Sequence, residues 1–242
     1  MPRRPRLRLA SQPLHVVQRG NNRGACFFAE EDYRFYLHWL DKGAQRYGCD
    51  IHAYVLMTNH VHLLLRPHGA ESVSALMQSL GRRYVQYVNR TYRRSGTLWE
   101  GRFKASLVQA EDYLLQCYRY VELNPVRAGM VRDPAEYRWS SYRHHALGES
   151  NGMIRDHELF LALGEDAAER RQAYRALFRA QLDDEAIADI RKATNQGLVL
   201  GNERFRAEIE RALGKRLGPR PRGRPKGRGE GGFAGEQIGF QF

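Results

Sequence analysis

The chain has 242 residues, enough for one large domain or a medium domain with an appendage, and 39 basic against 27 acidic side chains give it a formal charge of +12. That balance calls for an anionic partner, nucleic acid first. No apolar run approaches the length of a membrane span, and the Arg- and Pro-rich start has no signal core behind it. A cytoplasmic protein is expected, nucleoid-associated when on DNA and without a membrane partner. Cys26, Cys49 and Cys117 are odd in number and never form a CxxC pair, so they read as reduced structural thiols.

Residues 1–10 read as a basic arm. A first strand is expected over residues 14–18, closed by the turn-forming Arg19-Gly20-Asn21-Asn22. Tyr33, Tyr36, Leu37, Leu40 and Ala44 recur at helical spacing and predict a helix over 30–47, stopped by Gly48. Strands follow at 51–57 and 60–66, joined through Thr58-Asn59. Val73, Leu76, Met77, Leu80, Tyr84 and Val88 predict a helix over 73–92, and a fourth strand is expected over 97–108. The order β-α-β-β-α-β is the ferredoxin-like (split βαβ) arrangement: an α+β fold with an antiparallel sheet, helices on one face and the other face open.

Two stretches carry candidate chemistry. In His60-Val61-His62, run into Leu63-Leu64-Leu65, strand alternation places both histidines side by side on one face. That arrangement can share one metal ion, or the rings can simply be hydrogen-bonded at a sheet surface. A helix expected over 110–126, ending by Asn124-Pro125, puts Tyr120 and Asn124 on one face, with Tyr118 and Glu122 nearly opposite. Beside the histidine strand this pair supplies a nucleophile and a third ligand. Tyr113 and Tyr118 are the alternatives to Tyr120.

Residues 146–214 read as a helical C-terminal domain, with helices over 156–164, 167–182, 184–194 and 203–213. The last two have the size of a helix-turn-helix. His144-His145, adjacent in sequence, are expected at the surface. Residues 215–242 read as a disordered basic tail, in which Pro221-Arg222-Gly223-Arg224-Pro225-Lys226 resembles an AT-hook that would lay Arg222, Arg224 and Lys226 into an A·T-rich duplex.

Asn59-His60-Val61-His62-Leu63, Trp99-Glu100-Gly101-Arg102-Phe103-Lys104 and Arg119-Tyr120-Val121-Glu122-Leu123-Asn124-Pro125-Val126-Arg127 stand in the order of a known pattern. Over residues 10–145 the chain resembles the HUH superfamily of single-tyrosine transposases, and within it the REP-associated tyrosine transposases. The resemblance implies an HUH nuclease domain over 11–145, Tyr120 as nucleophile, and His60, His62 and Asn124 as ligands of Mg²⁺ or Mn²⁺. It also implies single-stranded hairpin DNA of REP-like palindromes as substrate, cut through a 5′-phosphotyrosine, in a monomer or homodimer. Arg82, Arg83, Arg102 and Lys104 are the candidate phosphate contacts. A catalytically silent DNA-binding regulator of palindromic repeats is the alternative.

Overall fold

The computed structural model describes residues 6–180, 182–214, 216 and 217, so Arg222, Arg224 and Lys226 lie outside the described residues. Strands β1 (Leu14–Arg19), β2 (Cys49–Met57), β3 (His60–Pro67), β4 (Lys104–Val108) and β5 (Val199–Leu200) form one sheet in the order β2-β3-β1-β4-β5. The first four pair antiparallel, with β1 between β3 and β4, in the expected ferredoxin-like order. The short β5 adds in parallel beside β4.

Helices α1 (Glu30–Tyr47) and α2 (Ser72–Thr91) cover one face, where Tyr36, Leu40, Leu76, Leu80 and Tyr84 pack on Val16, Leu63 and Leu65. Asp32 anchors the start of α1 by accepting from the N–H groups of Phe28 and Ala29 at 2.7 and 3.0 Å. Gly48 ends the helix at φ +66°, a conformation that favours glycine. Leu7 and Leu9 of the N-terminal arm pack against this core, and the Arg6 guanidinium lies 3.7 Å from the Phe103 ring centroid. Among the described residues no helix is long and apolar enough to cross a membrane.

The other face is not open, contrary to expectation. Helix α3 (Ala110–Glu122), short α4 (Asn124–Arg127), α5 (Glu158–Leu161), α6 (Ala167–Leu177), α7 (Asp184–Gln196) and α8 (Glu203–Leu213) follow in the chain. Leu114, Cys117 and Val121 of α3 and Ile190 and Ala193 of α7 bury Ala53, Val55, Leu64 and Val108 beneath a second core. Those strand positions are apolar on both faces, a pattern that requires cover on both sides.

Other expectations are corrected in detail. The fourth strand occupies only the end of its predicted span: Gly101 at φ +77° turns the backbone, and Trp99 makes a single bridge to Gly20. Pro125 does not stop the helical path. It sits in the first turn of α4, where its missing N–H is no loss. The last two helices are joined through β5, a strand of the sheet, rather than by a free turn. His145 is wholly buried, because the chain at Arg143–Leu147 forms one wide π-helical turn tucked behind α3.

Candidate active site

On β3 the alternation holds: Val61, Leu63 and Leu65 enter the first core, while His60 and His62 face the other way. Their ring centroids are 5.0 Å apart. Register places Val17 of β1 opposite His62, so His15, two residues away on the same face, is the diagonal neighbour. Its ring stacks on His62 at 5.1 Å. Tyr120, in the last turn of α3, presents its ring edge-on to His62 at 5.7 Å and to His15 at 5.6 Å. Together with Asn124 these side chains line a pocket of about 250 Å³, flanked by Arg19 and Arg191.

Hydrogen bonds determine which atoms face the pocket. The Thr194 hydroxyl on α7 donates to the Ile190 carbonyl at 2.9 Å, so its oxygen accepts from His15 Nδ1 at 2.9 Å. His15 Nε2 is then the acceptor for His62 Nδ1–H at 2.8 Å. The Ser106 hydroxyl, 3.1 Å from Thr194 Oγ1, supplies that oxygen's remaining bond. His62 Nε2 therefore keeps its lone pair free. His60 Nδ1–H donates to Asn59 Oδ1 at 2.6 Å, which leaves its own Nε2 free as well. The Asn124 amide nitrogen is held by the carbonyls of Tyr120 and Val121 at 2.9 and 3.2 Å, so Oδ1 is the end left for a ligand. Two imidazole nitrogens and one amide oxygen form a donor set suited to a divalent ion.

Burial keeps these imidazoles neutral. It pulls His15 down to about 3 and His60 to about 4, and holds His62 well below its ordinary range, with the charges of His15 and His60 adding to the effect. His52, buried on β2, falls to about 4 for the same reason. In the unfolded chain each titrates near 6.5, so below that pH the unfolded state takes up protons that the folded state refuses. Burial also pulls His144 down, but its hydrogen bond to Asp156, the charge of that carboxylate and the Glu149 carbonyl together outweigh this and raise its pKa, which partly offsets the trend. In chelator, the melting temperature is expected to fall as pH drops from 6.5 towards 4. A fluorimetric melt flat across that window would show that these rings are not buried neutral.

Arg127 lies one turn beyond Leu123, at the end of α4. Its guanidinium lies 4.4 Å from the Tyr120 ring centroid, and its Nη2 donates to the Tyr120 carbonyl. Its Nε and Nη1 are buried with no hydrogen-bond partner among the described residues. Burial pulls its pKa down to about 10, with the Tyr120 phenol pulling the other way, so it remains a cation at neutral pH. Neither tyrosine alternative lines the site pocket. Tyr118 is wholly buried against His145, and Tyr113 lines a different pocket.

Of the candidate phosphate contacts, Arg102 and Lys104 lie close by. They line a groove that shares Thr194 and Asn195 with the site pocket, and Lys104 Nζ donates to Asn195 Oδ1 at 2.9 Å. Arg82 and Arg83 do not join them. Both are exposed on α2, in the helix layer on the opposite sheet face, and Arg83 stacks on Trp39 at 4.2 Å. His15, Thr194 and Arg127 were missed as site residues. Strand alternation marks the face of His15, but no sequence signal marks Thr194.

Residues 9–124 match the profile of the family described as "Transposase IS200 like". The matched segment runs from just before β1 to Asn124, so the part of the chain that carries His60, His62, Tyr120 and Asn124 resembles the IS200-like transposases. A solved REP-associated tyrosine transposase bound to a REP hairpin shares the fold, with a TM-score of 0.54 and 17% identity over 65% of this chain and 95% of that one. A protein of Deinococcus radiodurans R1 described as a candidate transposase aligns at 22% identity over 50% of this chain and 95% of that one, with a TM-score of 0.36. No curated protein shows significant similarity to the chain.

Proposed function

We propose that this protein cuts and rejoins single-stranded DNA beside hairpin-forming palindromes, with Tyr120 as nucleophile. The observation that carries the reading is the convergence of Tyr120, His60, His62 and Asn124 on one pocket with a basic rim. The solved relative of the same fold is bound to a REP hairpin, which favours hairpins as the first substrates to try.

The pocket residues fit a divalent metal, Mg²⁺ or Mn²⁺, held by His60 Nε2, His62 Nε2 and Asn124 Oδ1. When bound, such an ion polarises a non-bridging phosphate oxygen and offsets the charge that grows there. Tyr120 Oη, having lost its proton to solvent, attacks the scissile phosphorus. A Tyr–O–P bond to the 5′ side forms, the P–O3′ bond breaks, and the 3′ oxygen takes up a proton and leaves as a hydroxyl. One phosphodiester replaces another, so the 3′ hydroxyl can later reverse the step. Arg127 lies against the Tyr120 ring, and its donors without a partner among the described residues suit a phosphate oxygen. Arg102 and Lys104 track the strand towards the pocket.

The test mixes the protein with labelled hairpins from palindromes near its own gene, in Mg²⁺, Mn²⁺ or chelator, and resolves adducts on a denaturing gel. A metal-dependent adduct lost in His60→Ala is expected. Tight hairpin binding with no adduct from any hairpin would instead assign the silent regulator. The relay behind His62 has its own readout: Thr194→Val should weaken Mn²⁺ binding about 10-fold or more while the fold persists. Unchanged affinity would show that the relay does not set the His62 tautomer.

A further inference from the structure

A second convergence of ligand atoms lies behind α3. Glu122 follows Tyr120 by two residues, so it projects to nearly the opposite side of the helix, and it is wholly buried. Its Oε1 accepts from His145 Nδ1 at 2.8 Å, which leaves Nε2 as the outward nitrogen of a completely buried ring. That Nε2 has no hydrogen-bond partner among the described residues, and it points to Asp156 Oδ1 at 3.8 Å. His144 repeats the arrangement. Its Nδ1 donates to the Glu149 carbonyl at 3.1 Å, and its Nε2 lies 3.2 Å from the same Asp156 oxygen.

We propose that His144 Nε2, His145 Nε2 and Asp156 Oδ1 hold a structural Zn²⁺, at a site separate from the Tyr120 pocket and independent of the function assigned to it. The three ligand atoms lie within 4.8 Å of one another. Bonds of about 2.0–2.2 Å to a tetrahedral zinc separate its ligands by about 3.3–3.6 Å, so only small side-chain movements are needed. Both histidines have their far nitrogen anchored by a protein acceptor, one of them a carboxylate, as rings that ligate a metal characteristically do. Two neutral imidazoles and one carboxylate select a borderline ion such as zinc over Mg²⁺ or Ca²⁺. Asp156 and His144 are part-exposed, with side-chain exposures of 32% and 21%, which leaves an entry path and room for a water as fourth ligand.

An ion pair between protonated His144 and Asp156 is the competing account of the same contact. It leaves His145 Nε2 buried without a hydrogen-bond partner among the described residues, whereas a shared ion satisfies both rings at once. Bound there, zinc ties the loop after Gly148, which leads to Asp156, to the π turn that packs on Glu122 and Tyr118. It would thereby stiffen α3, the helix that presents Tyr120 on its other side.

The experiment uses the full chain carrying His60→Ala and His62→Ala, which removes those two ligands from the first pocket, stripped with chelator and titrated with Zn²⁺ by calorimetry. One Zn²⁺ per chain is expected to bind and to raise the melting temperature, and Co²⁺ should show the visible bands of tetrahedral coordination. Adding Asp156→Asn, or separately His144→Gln, should lower the affinity at least tenfold. Both replacements are at part-exposed positions, and circular dichroism checks that the fold persists. No Zn²⁺ binding in the double-alanine protein, or binding indifferent to both further replacements, would overturn the site and leave the ion pair as the explanation.

Discussion

Replacing Tyr120 with Phe is expected to lower strand cleavage roughly 10⁴-fold or more, and to remove the covalent adduct altogether, because a group that acts as nucleophile has no substitute in the pocket. The change is specific to the chemistry. Among the described residues the Tyr120 hydroxyl makes no hydrogen bond that its loss would orphan. A phenylalanine ring keeps the edge contacts with His15 and His62 and the Arg127 guanidinium against its face. Melting temperature, Mn²⁺ affinity and hairpin affinity should therefore stay near their original values while the adduct disappears. An adduct of undiminished yield in Tyr120→Phe would move the nucleophile elsewhere, and a collapse of stability would make the tyrosine a core residue.

The second large effect is on the fold. Glu122 has no exposed surface, and its carboxylate accepts from Ser141 Oγ, from His145 Nδ1 at 2.8 Å and from Tyr174 Oη at 2.7 Å. These donors belong to the Trp139–Tyr142 loop, the π turn that continues it, and α6, so one carboxylate ties two separate stretches of chain to α3. Glu122→Ala leaves three buried donors without an acceptor and opens a void. A loss of about 3–5 kcal/mol is expected, because each buried donor left without an acceptor bears its own desolvation penalty. For a chain of this size that corresponds to a fall in melting temperature on the order of 6–20 °C. Glu122→Gln, which keeps one acceptor oxygen, should cost less. Urea unfolding followed by circular dichroism measures both. A change below about 1 kcal/mol for the alanine variant would show that the carboxylate's desolvation cancels its bonds.

The parts of this protein legible in its sequence are those set by local periodicity. Apolar positions three and four apart give α1 and α2 their buried stripes, and strand alternation alone puts His60 and His62 on one face. Four residues of helix bring Asn124 under Tyr120, and this survives the break between α3 and α4 because Pro125 falls where a helix start needs no N–H. Arg102 and Lys104 read as polar positions of a segment leading into the sheet, and they line the groove beside the pocket.

What the sequence left open depends on which surface each element meets. The arginines of α2 read from spacing as a phosphate-binding row, but only packing decides that the helix lies on the sheet face away from Tyr120, where Arg83 stacks on Trp39. Histidine at position 145 reads as a surface residue until Glu122, 23 positions earlier, supplies a buried partner. Alternation determined which way the side chains of β1 and β3 point, but only strand pairing decided that His15 stands beside His62. Only the return of the chain as α7, 179 positions after His15, put Thr194 where it orients both rings. Local spacing is a property of the backbone geometry of one segment. The tautomer of His62, the closure of the second sheet face and the pocket itself come from contacts between segments far apart in the chain, and those exist only once the sheet and its two helical layers have packed.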